Sequence, residues 1–179
     1  FPGAADLGAF WDNLLAGRSL NPYDPERTPG GSSGGESAAI AAGLSPLGLG
    51  SDVAISVRGP AHDTGIASIK PTHGRVPCTG HFPHVLRRWW HTGPMARSVR
   101  DLRLALSLLE GPDGLDPYAV ALPAAARPGG PVRIGWTTDA FGPIDPEVAD
   151  MVTAAATALS GLGFPVEQVG IEAEVVAVQ

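Results

Sequence analysis

Three serines occupy the two stretches of this sequence where side-chain chemistry is easiest to place. Ser32 and Ser33 lie between two glycine pairs in TPGGSSGGESAAIAAG, residues 28–43, and Ser56 follows a short apolar run that ends at Asp52. A serine at the end of a strand is well placed as an exposed nucleophile, provided that a neighbouring base accepts its proton. From composition alone, ordinary turn serines are the simpler interpretation, since serine is common in turns.

A glycine-rich loop before a helix also suggests a phosphate-binding loop. The nucleotide-binding version places a lysine and a serine or threonine directly after its last glycine. Here Gly35 is followed by Glu36, whose negative charge would repel phosphate, and no lysine is near. The Gly-x-Ser-x-Gly elbow of lipase-like hydrolases is absent as well. These features argue against nucleotide binding and favour a close backbone approach as the reason for the glycines.

The composition is that of a globular protein. The 179 residues are 44% hydrophobic and 17% charged, which suits one domain with a core. The net charge of −6 argues against a general binder of nucleic acids or anionic membranes. Cys78 is the only cysteine, which excludes an intramolecular disulfide, and no apolar run approaches the ~20 residues that span a bilayer. The first residues lack the pattern of a signal peptide, so we expect a cytoplasmic protein.

Helical and extended patterns alternate and predict an α/β fold, with a mainly parallel or mixed sheet and flanking helices. Helices are predicted at 7–17, 35–43, 99–111 and 145–163, and strands at 46–52, 66–70, 132–136 and 164–170. We expect the first three strands to share one mainly parallel sheet. Ser98 and Asp145 are candidate N-caps. The predicted apolar face of the helix at 99–111 consists of Val99, Leu102, Leu106 and Leu109. The strand, helix and strand within 132–170 predict a βαβ unit.

The joint pattern from Asn21 to Val76 resembles the amidase signature family. NPYDPERTPGGSSGGESAAIAAGLSPLGLGSD is followed by Ser56, Arg58 and then GIASIKPTHGRV, in the order and spacing of that family. GHFP, HTGPMARSVRDL and GPDGLDPY are also similar to it. The resemblance implies one partial amidase signature domain over 1–179, with the signature region at about 21–76 and a terminal strand–helix–strand unit at about 132–170. It also implies a core truncated at both ends, as in a central piece of a longer enzyme.

The resemblance implies that carboxamides are hydrolysed through a serine acyl-enzyme by a Ser-Ser-Lys triad. Ser56 matches the nucleophile of the family. Ser32, 24 residues earlier, matches the serine that follows a cis peptide bond and relays a proton to the lysine. Ser33 would hold the loop through a nearby hydrogen bond. The implied substrate is a small-molecule amide, with no cofactor and no metal.

Val53, Ala54 and Ile55 match the family's oxyanion hole, whose donors are backbone N–H groups. The family typically has two glycines directly before the nucleophile, and here Ala54 and Ile55 replace them. A β-branched isoleucine does not readily take the conformations that glycine allows. Asp52 and Arg58 bracket the nucleophile, and we expect them to form a buried structural pair that holds this turn. The alternative is a surface ion pair.

The catalytic lysine of the family is absent from this chain. Lys70, the only lysine, lies in KPT, which matches a different position of the family. Two functions are therefore weighed. One is an amidase that hydrolyses a carboxamide C–N bond, and the other is an inactive, truncated amidase-like remnant or interaction module. Expected associations are a homo-oligomer or the missing remainder of the domain, and not a nucleic acid or a membrane.

Histidines and tryptophans suggest two further kinds of site. Five histidines could supply metal ligands, but His81 and His84 flank Pro83 in a predicted loop, and we expect no metal. Trp89 and Trp90 lie beside two arginines, a combination that would suit stacking on nucleic acid. In an acidic chain, a buried aromatic pair is the interpretation that we favour.

Overall fold

The computed structural model describes residues 12–13, 17–83, 88–121, 130–139, 142 and 144–170. The elements are β1 (Asp12–Asn13), β2 (Gly17–Arg18), α1 (Gly34–Ala41), β3 (Leu47–Asp52), α2 (Arg58–Asp63), β4 (Ala67–Ser68), β5 (His91–Ala96), α3 (Val99–Leu109), β6 (Ile134–Trp136), α4 (Pro146–Gly161) and β7 (Val166–Gln168). The chain divides into two compact units, Phe1–Pro123 and Ala124–Gln179. The assignment of both units to one partial domain stays a prediction.

A three-stranded sheet in the order β3-β5-β4 forms the centre of the first unit. The middle strand, β5, runs antiparallel to both neighbours. Leu47 lies opposite Ala96 at one end of the β3-β5 pair, and Asp52 lies opposite His91 at the other. The two outer strands are therefore parallel to each other. The predicted α/β class, with mixed sheets and flanking helices, is confirmed.

The sequence patterns do not predict β5, because HTGPMA contains a glycine and a proline, which usually interrupt strands. The structure explains the glycine. A Cβ on Gly93 would lie 2.0 Å from the carbonyl oxygen of Ile69. The Ile69 N–H donates a hydrogen bond to the Pro94 carbonyl at 3.2 Å. This close pairing of the two backbones requires a residue without a side chain in the middle strand.

Helices α1 and α2 pack on one face of the sheet. The buried apolar cluster of this face consists of Ile40, Val57, Ala61 and Met95. Along β3, glycine faces the helices, and a Cβ on Gly48 would overlap the Glu36 side chain of α1. Glycine at this position lets the helix lie close to the strand.

Helix α3 begins at the predicted cap. Ser98 Oγ accepts a hydrogen bond from the Asp101 N–H at 3.1 Å and donates one to the Asp101 carboxylate at 2.7 Å. The residues that α3 buries are Leu102 and Ala105. Val99, a member of the predicted apolar face, is 68% exposed. The prediction is wrong there because the buried stripe does not reach the first residue of the helix.

The second unit is the predicted βαβ arrangement. β6 and β7 pair in parallel, with Ile134 opposite Val166, and α4 connects them. Asp145 Oδ1 accepts a hydrogen bond from the Glu147 N–H at 2.9 Å, so the predicted cap of α4 is confirmed. Gly163, with φ of +86°, follows the helix end, where glycine takes this conformation without strain.

Two predictions of the fold are wrong. The strands predicted at 46–52, 66–70 and 132–136 do not share one mainly parallel sheet. The first two pair antiparallel with β5, and the third pairs with β7 in a separate sheet. The helix predicted at 7–17 is contradicted at Asp12–Asn13 and at Gly17, which belong to the antiparallel pair β1-β2, and its other residues lie outside the described chain.

Candidate active site

The loop of Ser32 passes between α2 and the start of α1. The peptide bond from Gly31 to Ser32 is cis, as the resemblance implies. Gly30 has φ of +77°, and a Cβ there would lie 2.8 Å from the Pro60 Cα of α2. Glycine is required at this position on both counts, because other residues rarely adopt this conformation and the helix leaves no room for a side chain.

One backbone hydrogen bond joins this loop to the turn that carries Ser56. The Ser33 N–H donates to the Ser56 carbonyl oxygen at 3.1 Å. Strand β3 passes close by at Gly50, where a Cβ would lie 2.5 Å from Ser33 Oγ and 2.7 Å from a methyl group of Val57. Ser33 is buried, whereas Ser32 and Ser56 are half-buried. The fold therefore brings together the two segments that carry the candidate catalytic serines.

Asp52 holds the other side of the turn. Its buried carboxylate accepts hydrogen bonds from the N–H groups of Val57 at 3.1 Å and Arg58 at 3.2 Å. The Arg58 side chain bonds both carboxylate oxygens at 3.0 Å, and the guanidinium itself is half exposed. Burial alone raises the pKa of Asp52, but the hydrogen bonds and the charge of Arg58 outweigh it and hold this pKa below its ordinary value. The predicted pair therefore forms, with the carboxylate as its buried member.

The three residues before the candidate nucleophile form a largely exposed turn. Arg58 donates to the Ala54 carbonyl, and the Gly59 N–H donates to the Ile55 carbonyl at 2.7 Å. Within the described part of the chain, the N–H groups of Ala54 and Ile55 donate to no acceptor. Val53 is half-buried. The Ile55 side chain is 57% exposed and lies over Gly59. A Cβ added to Gly59 would be 3.0 Å from the Cγ1 of Ile55.

Comparison with known proteins identifies the family. A family model described as Amidase matches residues 6–179. The chain belongs to the amidase family. It is 40% identical over 169 residues to an indoleacetamide hydrolase of Bradyrhizobium japonicum, in a match that covers 90% of the chain and 36% of that relative. It is 44% identical over 154 residues to a glutamyl-tRNA(Gln) amidotransferase subunit of Thermus thermophilus, in a match that covers 83% of the chain and 32% of that relative.

Solved amidase structures are similar over the same extent. The structure of a 6-aminohexanoate cyclic dimer hydrolase has a TM-score of 0.78 and 36% identity, and the match covers 88% of the chain and 35% of that protein. A bacterial aryl acylamidase of the amidase signature family has a TM-score of 0.74 and 32% identity, over 89% of the chain and 34% of that protein. The chain spans about a third of the length of these relatives. No helix in the described ranges is long and apolar enough to cross a membrane.

Sequence reasoning did not place His91 beside the candidate site of this amidase chain. His91 is buried at the start of β5, opposite Asp52. Its ring packs edge-on against His73, with centroids 5.4 Å apart, and His73 packs against Tyr118 at 5.6 Å. Lys70, the only lysine, is half-buried, and its charge disfavours protonation of His91. The sequence carries no signal for this neighbourhood, because it depends on the pairing of a strand that is not predicted.

Other residues considered as sites lie apart from this one. No group of three or more histidines, cysteines and carboxylates in the described ranges could hold a metal ion, and His84 lies outside those ranges. Trp89 is exposed, so the predicted buried pair of tryptophans is wrong. Residues 88–89 form a turn before β5, which leaves Trp89 at the surface. Trp90 is half-buried and packs edge-on against His81 with centroids 4.7 Å apart.

Proposed function

We propose that this chain provides the two serines of an amidase active site, which hydrolyses a carboxamide C–N bond through a serine acyl-enzyme. The observation that carries the proposal is the hydrogen bond from the Ser33 N–H to the Ser56 carbonyl. It holds the loop of Ser32 against the turn of Ser56, as a nucleophile and a proton relay require. Family membership and the names of the relatives, an indoleacetamide hydrolase among them, support the same reaction class.

In the proposed reaction, Ser56 Oγ attacks the amide carbonyl carbon while its proton passes to Ser32 and from there to a base. The charge that develops on the carbonyl oxygen is stabilised by the free N–H groups of Ala54 and Ile55, with Val53 as their neighbour. One such donor typically contributes roughly 100- to 1000-fold in rate. The intermediate then expels ammonia or an amine, which takes up a proton, and water hydrolyses the ester to a carboxylic acid and free Ser56.

The base is the part that this chain does not provide. The resemblance implies a neutral lysine in that role, and burial lowers a lysine pKa enough for the role. Lys70 does not match the position of the catalytic lysine, so we assign no base among the residues of this chain. Asp52 and Arg58 take no proton in this scheme, and their role is to hold the turn.

The test is to measure ammonia release from small amides by the 179-residue chain, with and without an added primary amine. The chain alone should show no turnover above background, because Ser32 lacks a base. An added amine should take the place of the missing lysine, and this turnover should disappear in Ser56→Ala. Ser107→Ala, which changes an exposed serine on α3, is the matched control and should keep it.

A non-catalytic role is the second candidate, and Ile55 is the observation that favours it. Its exposed side chain lies directly before Ser56, where the family typically has glycine, and a β-branched residue does not readily take the conformations that glycine allows. In that case the folded chain would show no Ser56-dependent turnover under either condition. Ile55→Gly tests this role, since amine-dependent turnover that appears only in the variant would show that Ile55 inactivates the chain, whereas an amidase already shows this turnover in the wild type.

A further inference from the structure

His91 is a buried titratable group to which the proposed reaction gives no role. The residue is 9% exposed, and neither ring nitrogen makes a well-aligned hydrogen bond within the described residues, although the Arg88 carbonyl lies near enough to favour the charged ring. A neutral imidazole carries one N–H donor and one acceptor. Leaving such groups buried without partners costs free energy, so each instance requires an explanation.

The strand register places His91 beside the carboxylate that holds the Ser56 turn. His91 lies directly opposite Asp52 in the β3-β5 pair. Residues in such positions point to the same face, with Cβ atoms about 4.5–5.5 Å apart. Two residues further along, Gly50 lies opposite Gly93 on that same face and contacts Val57, which identifies the face as the one that α2 covers.

The four hydrogen bonds that the Asp52 carboxylate accepts are unevenly shared between its two oxygens. Oδ2 already accepts three hydrogen bonds, from the amides of Val57 and Arg58 and from the Arg58 Nε. Oδ1 accepts one, from the Arg58 Nη2. A carboxylate offers about four acceptor sites in total, usually two on each oxygen. An imidazolium at His91 would therefore compete for Oδ1, the oxygen that the half-exposed end of Arg58 contacts. A neutral ring leaves both hydrogen bonds between the Arg58 guanidinium and the Asp52 carboxylate intact.

Charged groups from several elements face His91. Burial is the largest influence and lowers the pKa of His91, and Lys70 and His73, which follow β4, lower it further. Asp52 from β3 and the Arg88 carbonyl act in the opposite direction, but they do not outweigh the others. The ring is therefore neutral at neutral pH, and its proton uptake at lower pH brings a positive charge next to the carboxylate.

Apart from Arg58 of α2, which bonds Asp52 itself, the other described elements packed on these strands bring no further charge to this point. Glu36 of α1 lies over Gly48, four residues along β3 from Asp52, which is about 13 Å in a strand. The residues that α3 buries, Leu102 and Ala105, do not titrate. Asp52 is thus the carboxylate through which His91 acts.

We propose that His91 is a positioning residue for the Ser56 turn. When its ring is neutral, the Asp52 carboxylate keeps its hydrogen bonds from Val57 and Arg58. When the ring is an imidazolium, it attracts the carboxylate away from these donors and loosens the turn. The proposal depends on the proposed function only for the role of Ser56 as the nucleophile. The amides of Val57 and Arg58 report on the turn directly, so a test can succeed or fail whether or not the chain is an amidase.

The test is hydrogen–deuterium exchange with mass spectrometry on the full 179-residue chain, at about pH 7.5 and about pH 5. After correction for intrinsic rates, the peptide that covers residues 53–59 should exchange about tenfold faster at the lower pH, as a local opening does. His91→Gln keeps a neutral polar side chain and should abolish this acceleration. His62→Gln, at an exposed histidine of α2, is the matched control and should retain it.

The reciprocal readout is the pKa of His91 itself, from the slow exchange of its ring C–H. Asp52→Asn removes the carboxylate that favours the imidazolium, so the pKa of His91 should fall below its wild-type value. Equal exchange of residues 53–59 at both pH values, or the same acceleration in His91→Gln as in the wild type, would overturn the proposal. So would a His91 pKa that Asp52→Asn leaves unchanged. Wild type and Asp52→Asn suffice for a decision if His91→Gln does not fold.

Discussion

At the scale of single residues, the candidate site depends most on the Asp52 carboxylate, because it is the common acceptor for both amides that follow Ser56. Asp52→Asn would replace one carboxylate oxygen by an NH2 group. This donor would face other donors, namely the two backbone N–H groups and the Arg58 guanidinium. Breaking a buried pair typically costs ~3–5 kcal/mol, and the half-exposed Arg58 recovers part of this by solvation. We expect the free energy of unfolding to fall by about 2–3 kcal/mol at neutral pH, measured by urea denaturation.

The pH dependence of that difference follows from the lowered pKa of Asp52. The stabilisation is fully present above the unfolded-state pKa of about 3.9, and it is lost as the pH falls through the lower folded-state value. The difference in the free energy of unfolding between wild type and Asp52→Asn should therefore shrink below about pH 4. Asp24→Asn changes an exposed carboxylate and serves as the control. A gap that stays constant into acid would contradict the role given to the Asp52 charge.

Single residues are predictable where their partners are close in sequence. Asp52 and Arg58 are six residues apart, and the turn between them brings them together whatever the rest of the fold does. His91 is different, because it reaches Asp52 only through the register of β3 against β5. Long-range strand register depends on the packing of the whole sheet, and no local pattern in this sequence specifies it.

At the scale of elements, the helix starts are predictable because capping is a local interaction. Ser98 and its partner Asp101 form a reciprocal pair, in which the hydroxyl accepts from the amide and donates to the carboxylate. Ser98→Ala should lower the free energy of unfolding by about 1 kcal/mol, the typical value of an N-cap. Urea denaturation followed by circular dichroism would measure it.

Ser107→Ala is the matched control for the cap, since Ser107 lies exposed on the same helix and alanine is a good helix former. It should leave stability unchanged or raise it slightly. Equal losses in both variants would show that Ser98 acts through general helix propensity and not as a cap.

The strands are less predictable than the helices. An apolar run between helix and turn signals identifies β3, but β5 contains Gly93 and Pro94, which local rules treat as breakers. The glycine is present because the Ile69 backbone passes too close for a side chain. This is a tertiary requirement, and without β5 the sequence also gives no sign that both strand pairs of this sheet are antiparallel.

At the scale of the whole molecule, large apolar side chains lie exposed on the described surface, on strands and helices alike. Leu47 and Leu49 are exposed on β3, an outer strand of its sheet, and Leu104 and Leu108 are exposed one turn apart on α3. The chain also spans about a third of the length of its relatives. Surfaces of this kind bury their apolar area against further sequence or against other chains.

We therefore expect the purified 179-residue chain to associate, because exposed strand edges and apolar patches pair with other copies. Size-exclusion chromatography with light scattering should give a mass above the 18.3 kDa of one chain. Leu108 is 76% exposed, and Leu108→Glu should shift the mass towards the monomer. Ser107→Glu adds the same charge without removing an apolar side chain, so it should shift the mass less. A monodisperse wild-type monomer with one sharp unfolding transition would show that these surfaces need no cover, and the chain would then be a self-sufficient domain.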